Sequence, residues 1–302
     1  MKFAIFETSR QGGRQYNQDR LAYAYSRDAL LMVVADGMGG HFHGELAAQI
    51  AVQMLVDTFQ SQAAPTLEAP LEFLHKGMFN AHRAINDYVL AHRLAEFPRT
   101  TCVACVVQHN RAYWAHCGDS RLYYFRAGKP LYRTRDHSLV QQMFERGLID
   151  AAQMAVHPDR NKIYSCLGGD NLPEVELSQG VGMMDNDLLL LCSDGLWGQL
   201  EIGEICAILD NYPIADAMPE LMDHAELRGG KTGDNLSAIG MRLGDESRYF
   251  AERAISAATV PLGASYTSLE QFHSGIEQGP EIEQAVHEIQ AIIAKYAKLK
   301  PR

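Results

Sequence analysis

The sequence predicts an α+β fold in which antiparallel strands form sheets and helices cover them. Three strand-like runs, at residues 100–107, 112–117 and 122–125, are separated only by tight turns, which is typical of antiparallel pairing. Two long helical patterns, at about 45–60 and 71–95, precede these strands and would cover one sheet face. Of the 302 residues, 47% are apolar and 21% are charged, which is ample for a sizeable core.

The N-terminal segment is predicted to form a β-hairpin. Its first arm spans residues 3–8, Gly12 and Gly13 form the turn, and the second arm ends at residues 21–25. The apolar run at residues 30–35 follows, and its lack of alternating polar residues is typical of a fully buried strand.

The second half of the chain places regular elements after an irregular segment. Ser138 is a candidate N-cap for a helix that begins at Leu139. Residues 138–169 otherwise show no regular pattern and are predicted to form a flap of short helix and loop, a typical place for substrate selection. Further strands are expected near 174–181, 188–192 and 236–243, and helices near 202–210 and 214–227.

Composition argues against several classes of partner and compartment. A formal net charge of -10 disfavours nucleic acid or an anionic membrane as the main partner. The N-terminus lacks a signal-peptide core, and no apolar run approaches the ~18 residues of a membrane span. The six cysteines lie inside apolar segments, and the Cys102–Cys105 pair has no second pair to complete a zinc site. We therefore expect a cytoplasmic protein.

The most unusual stretch begins at Asp36, where an apolar strand ends in an acid and a cluster of glycines. A carboxylate at the mouth of a core is costly unless it is compensated, and a cation is the natural compensation. Gly37, Gly39 and Gly40 permit close approach of backbone carbonyls to a ligand. An isolated Asp-Gly pair more often only closes a tight turn.

Asp36 is not isolated, because the same pattern recurs. The apolar strand near 188–192 is followed by Asp194-Gly195, and Asp234 stands just before the strand at 236–243. Three carboxylates at strand ends indicate convergence on hard cations, since Mg²⁺ and Mn²⁺ prefer oxygen ligands.

Seven short motifs occur between residues 17 and 235. They are Asn17-Gln18-Asp19, Asp36-Gly-Met-Gly-Gly-His41, Thr100-Thr101, Gly118-Asp119-Ser120-Arg121, Asp136-His137-Ser138, Ser193-Asp194-Gly195-Leu196 and Asp234-Asn235. In this order they resemble the motif series of the protein phosphatase 2C family of metal-dependent serine/threonine phosphatases, in its bacterial form. The resemblance covers about residues 5–243.

This resemblance implies a fold, a reaction and a class of partner. The implied fold is a four-layer αββα sandwich, with two antiparallel sheets face to face and helices outside. Two Mn²⁺ or Mg²⁺ ions at one end would activate a bridging water, which attacks phosphoserine or phosphothreonine directly without a phosphoenzyme. The implied substrates are phosphorylated proteins produced by a serine/threonine kinase, and the implied role is in signalling.

The resemblance also implies a set of metal ligands. Asp36 would bridge both ions, and the Gly37 carbonyl would bind the second. Asp194 and Asp234 would hold the first ion. Asp119, together with Asp194, matches the third and weaker metal site of bacterial members.

Three residues are assigned catalytic roles, two of them by their match to family positions. Asp19 matches an acid that binds a metal-bound water, and Arg14 matches the arginine that holds the substrate phosphate through its planar guanidinium. In the eukaryotic branch a histidine general acid directly follows Asp-Gly, but Met38 occupies that place here. The role is therefore assigned to His41, for which the alternative is a loop histidine that only bonds the backbone.

Two other functions compete with this assignment. His41-Phe42-His43 superficially resembles the His-x-His cluster of zinc hydrolases with a metallo-β-lactamase fold, but the later strand ends carry Asp194 and Asp234 where histidines would be needed. The other is a catalytically inactive phosphatase fold that acts as a binding or regulatory module. Inactive copies usually lose ligand acids, and all of these acids are present.

The chain is predicted to divide into a catalytic domain at 1–243 and a C-terminal extension at 244–302. The extension combines a linker with an amphipathic helix at about 281–298, whose apolar residues recur every three or four positions. These are Ile282, Val286, Ile289, Ile293 and Tyr296. We expect this stripe to pack on the outer helices of the catalytic domain, and docking of a partner or a second copy is the alternative.

Overall fold

The computed structural model of the chain describes residues 1–38, 44–246 and Tyr296. The strands in these residues form two antiparallel sheets, called sheet A and sheet B below, and a two-stranded ribbon. In chain order the strands are β1 (Phe3–Arg10), β2 (Arg20–Tyr25), β3 (Ala29–Ala35), β4 (Gly37–Met38), β5 (Arg99–Thr100), β6 (Cys102–Gln108), β7 (Arg111–Cys117), β8 (Arg121–Arg126), β9 (Lys129–Arg133), β10 (Glu176–Leu177), β11 (Val181–Gly182), β12 (Leu188–Cys192) and β13 (Leu236–Leu243).

The order of strands differs from their order along the chain. Sheet A has the order β1-β13-β12-β8-β9, and sheet B has the order β10-β7-β6-β3-β2, with β11 also paired to β7. Strands β4 and β5 form the ribbon. The helices are α1 (Gly44–Gln62), α2 (Pro70–His92), α3 (Leu139–Glu145), α4 (Ala151–Val156), α5 (Asp194–Trp197), α6 (Ile202–Asn211) and α7 (Ile214–Gly229), followed by a 3-10 turn at Gly230–Thr232.

Alternation along β3 explains why the molecule has four layers. All seven residues of β3 are buried. Leu31 and Val33 pack into a core shared with α1 and α2, whereas Leu30, Met32 and Val34 point to the opposite face and pack against sheet A. The leucines of β12 divide in the same way between sheet B and the helices α6 and α7. The predicted αββα sandwich of an α+β fold is therefore confirmed.

The predicted N-terminal hairpin is wrong. Strand β1 pairs along its whole length with β13 in sheet A, from Phe3↔Leu243 to Arg10↔Leu236, whereas β2 pairs with β3 in sheet B. The segment at 11–19 therefore crosses between sheets instead of turning back within one. Two apolar strands around a Gly-Gly turn are compatible with a hairpin and with a crossing between sheets. The eight residue pairs between β1 and β13 favour the crossing.

The antiparallel pairing predicted for the three consecutive runs is right for β6 and β7 but wrong for β8. Strands β7 and β8 are adjacent in sequence but lie in different sheets, and local pattern does not show this. Strand β9 is exposed at all five residues, so it carries no apolar alternation to reveal it.

The flap region contains the predicted helix entry. The Ser138 side chain accepts a hydrogen bond from the Gln141 amide and caps α3. A second short helix, α4, begins with a reciprocal capping box between Asp150 and Gln153.

The described contacts of the domain extend slightly past the predicted boundary. Buried Glu246 accepts hydrogen bonds from the Ile214 amide and from Arg242 Nε, both at 2.8 Å. In residues 1–38 and 44–246, no helix has the length and apolarity needed to cross a membrane. The predicted helix at 281–298 lies outside the described residues apart from Tyr296, and His41 also lies outside them.

Candidate active site

In sheet A, three of the predicted ligand acids lie at one end. Asp194 follows β12 and Asp234 precedes β13, and these two ends are adjacent because Cys192 pairs with Ala238. Asp119 lies on the link into β8, and Arg121, the first residue of β8, also pairs with Cys192. Antiparallel register thus places the three carboxylates side by side.

Sheet B brings the other two acids to the same end. Asp36 directly follows β3, and Asp19 directly precedes β2, whose first residue Arg20 pairs with Ala35. The Thr101 amide donates to the Asp36 carbonyl at 2.9 Å and fixes the backbone where β3 ends.

Two side-chain hydrogen bonds connect the two sheets at this end, one from a hydroxyl to a carboxylate and one between two hydroxyls. Ser193 Oγ, from sheet A, donates to Asp19 Oδ2 at 2.7 Å. Thr101 Oγ1 and Ser120 Oγ lie 2.7 Å apart and share a hydrogen bond. The acids therefore belong to one preformed site, whose geometry is set by the sandwich and not by a single loop.

The two Asp-Gly steps are needed for close packing. A Cβ added at Gly37 would lie 2.3 Å from the Gly44 carbonyl oxygen, and one added at Gly195 would lie 2.0 Å from the Asn235 carbonyl oxygen. Both glycines therefore allow backbone to approach backbone beside a predicted ligand acid.

The acids repel one another. Burial raises the pKa of Asp36 and Asp194 well above its ordinary value, and the neighbouring carboxylates raise the pKa further. Burial chiefly raises the pKa of Asp19 to about 6, and burial followed by the Asp136 charge raises the pKa of Asp119 to about 7. Such a cluster is unfavourable unless protons or cations neutralise it.

The donor set fits divalent cations. Asp19 Oδ1 and Asp194 Oδ1 are buried without a hydrogen-bond partner in the described part of the chain, although buried carboxylate oxygens normally have one. Carboxylate and carbonyl oxygens are the ligands that Mg²⁺ and Mn²⁺ prefer.

Arg14 lies at the edge of the acid cluster and contacts Asp234. Its Nε donates to Asp234 Oδ1 at 2.8 Å and its Nη2 donates to Asp234 Oδ2 at 2.6 Å. The arginine predicted to bind phosphate is therefore paired with a predicted metal ligand.

A buried arginine supports the site from behind. Arg121 forms a bidentate ion pair with Asp136 at 2.8 and 2.7 Å, and its guanidinium lies 3.4 Å from the centre of the Trp197 ring. Trp197 Nε1 in turn donates to the Asp119 carbonyl at 3.0 Å. These contacts connect the segments around Asp119, Asp136 and Asp194. The sequence gives no indication that Trp197 supports the site, apart from its position three residues after Asp194.

A second cluster contains two buried histidines and Glu176. Ligand atoms of His116, His137 and Glu176 all lie within 4.8 Å of one another. However, His137 Nδ1 accepts a hydrogen bond from the Gly118 amide at 3.2 Å, so neutral His137 carries its proton on Nε2, the nitrogen that would have to bind a metal. Burial, and then the neighbouring imidazole, lower the pKa of His137 to about 3. His116 Nε2 donates to the Arg135 carbonyl at 2.7 Å. The hydrogen bonds of both imidazoles to the backbone favour a structural role for the pair.

The side chains of Cys102 and Cys105 lie in different cores. Cys102 belongs to the core beneath the helices, whereas Cys105 belongs to the core between the sheets. Because the two side chains point to opposite faces of β6, they do not share a ligand.

Comparisons with known proteins agree with this geometry. A family model described as protein phosphatase 2C matches residues 8–232. The serine/threonine phosphatase stp of Listeria innocua is 30% identical over 239 residues, which cover 78% of this chain and 94% of that protein.

Solved structures give the same result. A serine/threonine phosphatase of S. agalactiae has a TM-score of 0.74 and 26% identity, with 80% of this chain and 100% of that chain covered. The catalytic domain of the serine/threonine protein phosphatase PstP, in complex with two manganese ions, has a TM-score of 0.68 and 28% identity, with 80% and 99% covered.

Proposed function

Since this chain belongs to the protein phosphatase 2C family and is a serine/threonine phosphatase of that family, we propose that it hydrolyses phosphoserine and phosphothreonine esters on proteins at the acid cluster described above. One observation carries the assignment of the site. Five carboxylates from both sheets meet at one end of the sandwich, and two of their buried oxygens have no hydrogen-bond partner among the described residues.

Four groups would hold two divalent cations. Asp36 would bridge the two cations, as its place in the family motif implies. Burial and then the charges of four neighbouring acids raise its pKa, which supports a position in the middle of the cluster. The Gly37 carbonyl would complete one cation's set, and Asp194 and Asp234 the other's. When bound, Mn²⁺ or Mg²⁺ lowers the pKa of a coordinated water and neutralises charge on the phosphoryl oxygens.

The remaining residues orient the water and the ester. Ser193 Oγ donates to Asp19 Oδ2, and Asp19 Oδ1, which has no hydrogen-bond partner among the described residues, would accept from a water bound to the cations. Arg14 is half-exposed at the rim, where a guanidinium fork can bind a phosphate that enters from solvent. His41 is proposed as the general acid for the departing hydroxyl, by position in the sequence motif.

A third, weaker cation is proposed between Asp119 and Asp194. After burial, the Asp119 charge is the largest cause that raises the pKa of Asp194, and the two acids lie on neighbouring strand ends. Asp119→Ala should leave the two stronger Mn²⁺ sites intact in calorimetry while it changes the Mn²⁺ dependence of turnover. Loss of the strong sites in this variant would contradict the peripheral assignment.

The proposed partners follow from the chemistry. Substrates would be proteins that a serine/threonine kinase has phosphorylated. The enzyme would then act in cytoplasmic signalling. The net charge of -10 disfavours nucleic acid as a competing partner.

The decisive experiment measures phosphate release from a phosphothreonine peptide and from p-nitrophenyl phosphate, with Mn²⁺ and with EDTA. We expect turnover with Mn²⁺, none with EDTA, and none for an Asp36→Asn control that still melts cooperatively. Phosphopeptide binding without Mn²⁺-dependent turnover would instead support the inactive binding module.

A further inference from the structure

Arg14 and Asp234 form a complete fork-to-fork pair. The two N–H groups of one edge of the guanidinium donate to the two carboxylate oxygens at 2.8 and 2.6 Å. Asp234 Oδ1 also accepts a hydrogen bond from the Asn235 amide at 2.9 Å. Bidentate pairs of this kind are the strongest and most directional of the charge-assisted hydrogen bonds.

The pair uses groups that both proposed partners need. A cation at Asp234 must coordinate an oxygen that the guanidinium covers, and its positive charge repels the guanidinium. A phosphate at Arg14 competes with Asp234 for the Nε–Nη2 edge of the guanidinium and for its positive charge. The cation and the phosphate should therefore each bind more tightly when the pair is open.

We propose that the Arg14–Asp234 pair is a latch that divalent cation opens, so that metal loading releases Arg14 to bind the substrate phosphate. The inference rests on the proposed function of the acid cluster. It adds an order of events, in which the cation and Arg14 compete for Asp234 and the phosphate then takes the freed guanidinium.

The surroundings allow the side chain of Arg14 to move while the backbone stays fixed. Asn235 Nδ2 donates to the carbonyls of Gln11 and Tyr16 at 2.8 and 2.9 Å, and Asn235 Oδ1 accepts from the Gln18 amide at 2.9 Å. These bonds tie the crossing segment at 11–19 to the loop before β13. The Arg14 side chain is 57% exposed, so the latch can open by rotamer change alone.

Calorimetric titration with Mn²⁺ tests the competition without any activity assay. Removing an exposed ion pair that competes with the cation should raise affinity by roughly two- to fivefold, so Arg14→Ala should bind Mn²⁺ more tightly than wild type. Arg14→Lys keeps the charge but lacks the fork, and it should also bind Mn²⁺ more tightly, by a smaller factor.

A matched control separates the latch from general charge. Arg10 pairs with Asp223 and Glu226 near the same end of β1, and Arg10→Ala should leave Mn²⁺ affinity unchanged. If Arg14→Lys binds Mn²⁺ as wild type does, only charge matters and the latch is excluded. Equal affinity of Arg14→Ala and wild type also excludes it. Failure of wild type to bind Mn²⁺ would instead overturn the proposed metal centre.

Discussion

Two aspartates flank strand β12 and have opposite surroundings. Asp187, just before the strand, accepts hydrogen bonds from Arg126 Nε and Nη2 at 2.9 and 2.7 Å and from the Tyr124 hydroxyl at 2.5 Å. Asp194, just after the strand, faces other carboxylates and has one buried oxygen without a hydrogen-bond partner among the described residues.

The pKa values shift in opposite directions for this reason. Burial alone would raise the pKa of Asp187, but the hydrogen bonds from Arg126 and Tyr124 outweigh burial and lower it. Burial and the nearby acids both raise the pKa of Asp194. A strand-end aspartate whose neighbours already neutralise it stabilises the fold, whereas one left among like charges is a candidate metal ligand.

The largest expected effect is on activity. Asp194→Asn should reduce Mn²⁺-dependent turnover by more than about 100-fold, because loss of a direct ligand should exceed the 10- to 100-fold cost typical of outer-shell residues. In metal-free buffer its melting temperature should not fall, since the substitution relieves repulsion. Steady-state assay and thermal melting measure the two effects.

Asp187→Asn is the matched variant at the other end of the same strand, and it should keep its Mn²⁺ affinity. If both variants lose activity equally while folded, the contrast between the two ends is wrong.

The second prediction concerns stability and its dependence on pH. Asp187→Asn should lower the free energy of unfolding by about 1–3 kcal/mol, because it weakens the hydrogen bonds of a buried carboxylate and leaves Arg126 without its counter-ion. The folded pKa of Asp187 lies below the unfolded value. Its contribution is therefore fully present above about pH 4 and is lost as pH falls through the folded pKa.

Urea unfolding at pH 7 and at pH 3 tests this sign. The gap between wild type and Asp187→Asn should shrink at the lower pH. A gap that widens towards acid would show that the paired carboxylate does not stabilise the fold in this way.

The third prediction concerns the support behind the acids. Trp197→Phe keeps an aromatic ring beneath Arg121 but removes the indole hydrogen bond to the Asp119 carbonyl. One net hydrogen bond is worth about 1 kcal/mol, so we expect a roughly fivefold weaker third Mn²⁺ site and little change at the strong sites. A general loss of affinity at every site would mean that Trp197 supports the whole end of the sandwich.

The acids at the strand ends could be predicted from sequence because each is local. A buried apolar run that stops at Asp36 or Asp194 shows the strand, its end and the carboxylate that follows it together. The order of the seven motifs then indicated the family, and the family implied the αββα sandwich.

Pairing between distant strands could not be predicted in the same way. The partner of β1 is β13, more than two hundred residues later, and nothing within residues 1–25 distinguishes that pairing from a hairpin. The Arg14–Asp234 and Trp197–Asp119 contacts depend on the same long-range register, so they appear only in the folded structure.

The smallest expected effect concerns the C-terminal extension. Tyr296 packs against the core beneath α1 and α2, and its hydroxyl donates to Asp87 Oδ2 on α2 at 2.7 Å. This contact supports packing of the extension on its own domain. Asp87, called the anchor below, differs from Asp187 and Asp194 because it binds the extension at the helical layer.

Removing the Tyr296 hydroxyl should cost about 1 kcal/mol, so Tyr296→Phe should lower the melting temperature by roughly 2–4 °C while Mn²⁺ affinity and turnover stay unchanged. Tyr212→Phe, at a tyrosine that is 47% exposed, is the control and should leave the melting temperature unchanged. A chain ended after Glu246 tests the whole segment, because this end keeps the Glu246 bonds to Ile214 and Arg242 intact. The truncated protein should melt at a lower temperature than Tyr296→Phe, since it loses apolar contacts as well as one hydrogen bond. If it melts as the full chain does but elutes as a smaller assembly, the extension belongs to an interface between chains and the Asp87 anchor does not hold it on its own domain.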